Sequence, residues 1–216
     1  MLQPIVEDMP LVEYIYRRCL QSKEADLVVV ITSTHSSDNR LNDYCIKHGM
    51  EVFRGSLDNV LDRYVSAADF FQADVVCRVC GDSPFVDIEL IDRMFTIQQD
   101  EKLDYVALEK NTFIAGFDSE IISTLALKKS KEAGVSDKEA EHVTLYLKAN
   151  QEKFKTKFIK VDLCLSNLKD ISLTVDYPRD LLLCQEVVKS LDDAFVFKSK
   201  EVLNILLKNK NVPCVS

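Results

Sequence analysis

The chain has 216 residues, of which 47% are hydrophobic and 29% charged, and its formal net charge is −8. That is enough apolar material for one core of ordinary size, so a single domain is expected over residues 1–216. The acidic balance argues against nucleic acid or an anionic membrane surface as partner, because both demand a basic face, while a few local arginines can still hold a small anion.

In chain order, the first segment after Asp8 and Pro10 reads as a helix. It keeps Leu11, Ile15 and Cys19 on one face and places Arg17 and Arg18 near its end, where the dipole favours cations. Residues 27–31, LVVVI, are a short apolar run fit for a buried strand. From Asp38 a short helix carries Leu41, Tyr44 and Cys45 and stops at His48-Gly49, where glycine can take a left-handed cap. Met50 to Phe53 reads as a strand, and Asp58 to Phe71 as a helix with Val60, Leu61, Tyr64, Ala67 and Ala68 along one stripe. A strand through Val75, Val76, Cys77, Val79 and Cys80 follows, then a helix from about Asp87 to Gln98 and a strand from Tyr105 to Leu108. Ser136 and Glu139 form a capping box that opens a helix carrying His142, Val143, Tyr146 and Leu147 and closed by Asn150. Strands are expected near 157–163 and 170–175, a helix from Pro178 through Leu191, and a last helix capped by Ser199. This alternation predicts an α/β fold with a mostly parallel sheet covered on both faces.

No apolar stretch reaches the length of a membrane span, and the first residues lack a basic-then-apolar leader, so a cytoplasmic protein is expected. Seven cysteines, Cys19, Cys45, Cys77, Cys80, Cys164, Cys184 and Cys214, are odd in number and scattered, as in reduced core thiols. Cys77 and Cys80 spell C-x-x-C, but three residues apart on a strand they point to opposite faces and can neither chelate one metal nor close a disulfide.

The most informative stretch is DVVCRVCGDSP at 74–84. An apolar strand that ends abruptly in Gly81-Asp82 places a carboxylate where α/β sheets bind their ligands, just beyond the carboxyl ends of strands. Asp176 ends the apolar run at 171–175 in the same way, and each acid is followed within two residues by Pro. Two carboxylates converging from neighbouring strands suit Mg²⁺, with substrate phosphates completing its octahedron. The competing reading is that each Asp only caps the next helix or turn. Arg54, Arg63 and Arg78 are the cations nearest these strand ends. Arg54 opens the turn Arg54-Gly55-Ser56, where Gly55 lets backbone approach a ligand closely. Arg78, charged and inside an apolar strand, must find a partner such as Asp58, Asp62 or another carboxylate. His142, alone on an amphipathic helix, reads first as packing or a hydrogen-bonding post, and no Ser-His-Asp or Cys-His arrangement is evident.

Five blocks in order, FRGSLDNVLDRY at 53–64, ADVVCRVCGDSPFVD at 73–87, GFDSE at 116–120, EHVT at 141–144 and LTVDYPRDL at 173–181, resemble the cytidylyltransferases of the spore-coat polysaccharide biosynthesis protein F type, which are related to CMP-sialic acid and 3-deoxy-manno-octulosonate cytidylyltransferases. The resemblance spans nearly the whole chain. It implies a three-layer Rossmann-like nucleotide-diphospho-sugar transferase fold, with residues of about 109–165 as a sugar-binding or dimerisation subregion. Asp82 and Asp176 are then the Mg²⁺ ligands, with Arg78 beside them in catalysis. Arg54, Ser56, Asn59, Arg63, Arg78 and Gly81 line the nucleotide and sugar pocket, and Gly116, Glu120 and His142 form its acceptor side or a dimer-proximal wall. The implied reaction is attack of a sugar hydroxyl on the α-phosphate of CTP, giving CMP-sugar and pyrophosphate for a surface glycan, in a homodimer. Against the family pattern R-x-G-S-x-R-L-P-G-K, Met1-Leu2-Gln3-Pro4-Ile5 falls just after the Gly/Arg/Lys loop, so the family's first strand and that loop have no counterpart in this sequence. A nucleotide-binding homologue without catalysis and a glycosyltransferase of similar fold are the alternatives.

Overall fold

The computed structural model describes residues 1–163, 168 and 171–208. A small antiparallel hairpin, β1 (Pro4–Val6) with β2 (Met9–Pro10), opens the chain and leads into α1 (Leu11–Cys19). β3 (Val30–Ser33) follows, then α2 (Asn39–Lys47), which ends as expected where Gly49 takes φ +67°. β4 (Val52–Gly55) pairs parallel with β3, Val30 opposite Val52 and Ser33 opposite Gly55. α3 (Val60–Phe70) starts at Asn59, whose side chain accepts from the Asp62 N–H at 2.8 Å. Next come β5 (Val75–Arg78), α4 (Ile88–Glu101) capped by Asp87, and β6 (Tyr105–Leu108).

Besides the opening hairpin, β7 (Glu120–Ser123) and α5 (Thr124–Glu132) had no signal strong enough to be expected. β7 is only EIIS, directly followed by a largely polar helix, and so short a run carries no period of its own. Yet β7 is the strand that joins the rest, lying antiparallel between β5 and β6. The remaining strand, β8 (Thr156–Ile159), pairs parallel with β6, giving the order β5-β7-β6-β8. β5, β6 and β8 therefore point one way and β7 alone is reversed, which is the mostly parallel sense expected.

Two further expectations change. The helix from Ser136 to Asn150 is two short ones, α6 (Asp137–Glu141), opened by the expected capping box, and α7 (Leu145–Ala149). The break at residues 142–144 buries Val143 and Thr144 together. The strand expected near 170–175 is not formed over 171–175, and residue 170 lies outside the described residues. There Ser172 Oγ and Thr174 Oγ1 bond each other at 2.7 Å and Thr174 Oγ1 donates to Asp176 Oδ2 at 3.0 Å. Local side-chain bonds of this kind compete with a ladder. α8 (Pro178–Lys189) and α9 (Ser199–Lys208) close the described chain.

The layers follow from which side chains share a core. On one sheet face Tyr105, Ala107 and Ile122 meet Leu61 and Val65 of α3, Ala126 and Leu127 of α5 and Leu147 of α7. On the other, Val106, Leu108 and Ile121 meet Ile91, Met94 and Phe95 of α4. β5 gives Val76 to the first face and Val75 and Cys77 to the second, which is why its sequence reads as continuously apolar. A third cluster gathers the hairpin, α1, α8 and α9. Arg18, expected only as a cation near a helix end, is 1% exposed there. It donates to the carbonyls of Phe195 and Val86, both at 2.6 Å, beneath the Phe197 ring at 3.5 Å. Among the described residues no helix is long and apolar enough to cross a membrane.

Candidate functional site

Beyond Arg78 the chain leaves the sheet and turns, with the Ser83 N–H donating to the Cys80 carbonyl at 3.2 Å. Gly81 sits exposed on that turn, and Asp82 half-buried beside it accepts from Ser83 Oγ at 3.0 Å. Asp82 is thus four residues past the last strand residue rather than at the strand tip itself. A Cβ on Gly81 would stand 2.8 Å from Met1 Cε, so this turn also receives the start of the chain.

Asp176 reaches the same place by a different route. The Val175 N–H donates to the Asp82 carbonyl at 2.8 Å, so the two acids lie on adjoining stretches of backbone. The segment is anchored a second time where the Leu173 N–H donates to the Ala115 carbonyl at 2.9 Å. Gly116 makes that second contact feasible: its φ is +104°, and a Cβ there would stand 2.8 Å from the Leu173 carbonyl carbon. Asp176 itself is exposed, and the Asp180 carboxylate accepts the Asp176 and Tyr177 N–H groups at 3.2 and 2.7 Å, opening α8.

Arg78 finds its partner in Glu120, directly opposite on β7, through Nη1 to Oε2 at 2.9 Å. Of the acids expected for it, Asp62 instead pairs with Lys131 at 2.5 Å. Glu120 is buried, and its Oε1 also accepts from Tyr105 Oη at 2.5 Å, Thr144 Oγ1 at 3.0 Å and Lys148 Nζ at 2.6 Å. Burial alone would raise its pKa, but the Lys148 and Arg78 cations hold it below the ordinary glutamate value. The Cys80 thiol lies between this cluster and the acids. Burial, with the charges of Asp82, Asp118 and Glu120 nearby, pushes it up against the pull of Arg78. Cys19, Cys45, Cys77, Cys80 and Cys184 are all free, while Cys164 and Cys214 lie outside the described residues.

The other expected pocket residues form a separate group at the end of β4. Arg54 donates through Nε to the Ser33 carbonyl at 2.8 Å and through Nη2 to the His35 carbonyl at 3.0 Å and Asn39 Oδ1 at 2.9 Å. Ser56 Oγ accepts the Asn59 N–H at 3.0 Å, and Arg63 Nη1 donates to the Ser56 carbonyl at 3.0 Å. Gly55 is needed here for packing, since a Cβ would meet Arg63 Cγ at 2.8 Å. The Arg63 Nε is buried without a partner among the described residues. His142 is exposed and its ring makes no hydrogen bond among the described residues.

Sequence reasoning missed Tyr105, Asp118, Thr144 and Lys148. Thr144 and Lys148 do carry a signal, a spacing of four that puts both on one face of a helix turn. Asp82 and Asp176 offer carboxylate oxygens, the donor type that Mg²⁺ takes. Among the described residues no group of three or more His, Cys, Asp or Glu is placed to hold a metal, so a cation here would draw the rest of its shell from phosphate oxygens and water.

Residues 2–201 match the sequence model of a family described as cytidylyltransferase. The chain is 32% identical over 205 residues to an uncharacterized protein of Methanocaldococcus jannaschii, covering 95% of this chain and 83% of that one. It is 28% identical over 200 residues to the spore coat polysaccharide biosynthesis protein SpsF of Bacillus subtilis, covering 92% and 82%. Among solved structures, a cytidylyltransferase from Leptospira borgpetersenii superposes with a TM-score of 0.87 at 25% identity, covering 98% of this chain and 90% of that chain.

Proposed function

We propose that this chain, which belongs to the cytidylyltransferase family, activates a sugar with CTP, releasing pyrophosphate and a CMP-sugar destined for a surface polysaccharide. The observation that supports this reading is the Val175–Asp82 backbone bond of 2.8 Å, which sets the stretch of chain bearing Asp176 beside the one bearing Asp82. The resemblance to SpsF, a protein of spore coat polysaccharide biosynthesis, supports the choice of pathway class.

In this reading Asp82 and Asp176 hold Mg²⁺. The ion, when bound, neutralises triphosphate charge and stabilises the departing pyrophosphate. The sugar hydroxyl oxygen forms the new bond to the α-phosphorus as the bond to the β-phosphate bridging oxygen breaks, and the hydroxyl proton passes to solvent. The chain's own contribution is positioning and charge. Arg78, held by Glu120, would supply positive charge to the anionic side of the reaction. A homodimer and a cytoplasmic setting belong to the same proposal.

The test is pyrophosphate release from CTP and Mg²⁺ with a panel of sugars and sugar acids. Asp82→Ala and Asp176→Ala should each lose Mg²⁺-dependent CTP binding or turnover by about a hundredfold while keeping the parent's fold by circular dichroism. If both variants bind CTP and Mg²⁺ as the parent does, the acid pair is not the site.

A further inference from the structure

We infer that Arg78 and Lys148 form a two-cation subsite for an oxyanion of the substrates, and that Glu120 is the positioning residue that holds them there rather than a substrate contact. The inference rests on the nucleotidyl-transfer reading for what the oxyanion belongs to, and on geometry alone for the subsite.

Glu120 is 6% exposed and its carboxylate is full. Oε1 accepts from Tyr105 Oη, Thr144 Oγ1 and Lys148 Nζ, and Oε2 from Arg78 Nη1 at 2.9 Å and Thr144 Oγ1 at 3.3 Å. A carboxylate has about four lone-pair positions, so none is left for a sugar hydroxyl or a metal. The two cations are in the opposite condition. Their side chains are 28% and 37% exposed, and Arg78 spends one N–H on Glu120 while its other donors are neither buried nor bonded to the described residues.

Two cations share the one Glu120 carboxylate, Arg78 on Oε2 and Lys148 on Oε1. Asp82 and Asp118 lie on the Arg78 side, around Cys80, but neither forms a salt bridge with Arg78 or Lys148 among the described residues. A part-exposed pair of cations anchored on the two oxygens of one carboxylate is built to receive another group with two oxygens.

The chain is shaped to make this cluster. The break after Glu141 ends α6 and restarts the helix at Leu145, with the Lys148 N–H donating to the Thr144 carbonyl at 2.9 Å. That spacing of four points the Thr144 hydroxyl and the Lys148 ammonium at the same carboxylate.

The oxyanion is a carboxylate of the acceptor sugar or a phosphate of the nucleotide, and the test separates the two. D-glucuronate, pyrophosphate without metal, and neutral D-glucose are titrated calorimetrically against the full chain, with CTP and Mg²⁺ measured in parallel. Lys148→Gln should weaken glucuronate or pyrophosphate about tenfold, and Lys148→Arg should restore binding to within about threefold. Glu120→Gln should weaken the same probe, and glucose should show no change. Loss confined to glucuronate assigns the acceptor carboxylate; loss confined to pyrophosphate assigns the nucleotide. The inference is overturned if neither probe binds the parent, or if Lys148→Gln binds both as the parent does while only its melting temperature falls. Because CTP with Mg²⁺ is read separately through Asp82→Ala, failure of the acid-pair reading is distinguishable from failure of the subsite.

Discussion

β6 is buried at every residue and β7 at three of its four, whereas no residue of β4 or β5 is buried and β3 is buried only at Thr32 and Ser33. Composition alone does not explain this, since Val30, Ile31, Val75 and Val76 are apolar yet none is buried. The difference is in neighbours. β6 and β7 each have a ladder on both sides, while β3 pairs only with β4, β5 pairs only with β7, and no ladder joins β3 to β5 among the described residues. An apolar strand is sealed by strands beside it as well as by helices above and below. The β3–β4 ribbon is fastened differently, by polar bonds at its tip, where Asp38 Oδ2 accepts from Thr32 Oγ1 at 2.8 Å, the Ser33 N–H at 3.0 Å and Ser33 Oγ at 2.5 Å.

The sharpest test of that contrast is a matched truncation. Ile122 of β7 is 0% exposed and lies between two ladders, so Ile122→Ala should cost about 3.5 kcal/mol through lost transfer and a residual cavity. Ile31 of β3 is half-exposed, and Ile31→Ala should cost only about 1 kcal/mol. Urea unfolding of both variants measures the difference. Equal losses would mean the ribbon is as tightly built as the sheet.

The next test uses acid, because each region leans on a carboxylate. Glu120 ties β5, β6 and β7 to α7, and its folded pKa lies below the ordinary 4.5, burial being outweighed by Lys148 and Arg78. A depressed carboxylate stabilises the fold above its unfolded pKa, and that stability is lost as pH falls through the folded value. Asp38 is held at about 2, chiefly by the Ser33 hydroxyl. Its share therefore disappears between about 3.8 and 2. Glu120→Gln should cost about 2 kcal/mol at neutral pH and flatten the pH dependence below 4.5. Asp38→Asn should flatten it between about 3.8 and 2. Unfolding free energies between pH 2 and 7 read both; unchanged slopes in either variant remove that carboxylate from the account.

The same contrast explains what could be read from the sequence. β5 and β6 were legible because apolar runs bounded by Asp74 and by Asp104 carry their own signal, and the capping box at Ser136 and Glu139 marked a true helix start. β7 was not, because four residues between the GFDSE block and a lysine-rich helix have no period, although this strand organises the sheet. The strand-then-acid pattern put Asp82 just beyond β5, where it lies, and the need of an in-strand arginine for a partner foretold an ion pair at Arg78. Its partner could not be named, since Glu120 is 42 residues away and meets it only through the antiparallel register. The strand expected before Asp176 is not formed over the described residues 171–175, which instead run as a loop seated on Gly116.

The smallest effect is also the most local. Amides of β6 and β7 are bonded within ladders on both sides and covered on both faces, so their exchange with solvent deuterium should require global unfolding. Those of β3 and β4 sit in a two-stranded ribbon, closed at its ends by the Val30 N–H to the Glu51 carbonyl at 2.9 Å and the Thr34 N–H to the Gly55 carbonyl at 2.8 Å. A two-stranded unit is only marginally stable by itself, and its opening leaves the β6–β7 core intact. Exchange at β3 and β4 should therefore run at least about tenfold faster than at β6 and β7, and should be nearly insensitive to low urea. The Ile31→Ala variant should widen that gap, and Ile122→Ala should close it by making the core exchange faster. Uniform exchange across all four strands, rising together with urea, would show that ribbon and sheet open as one cooperative unit despite their different neighbours.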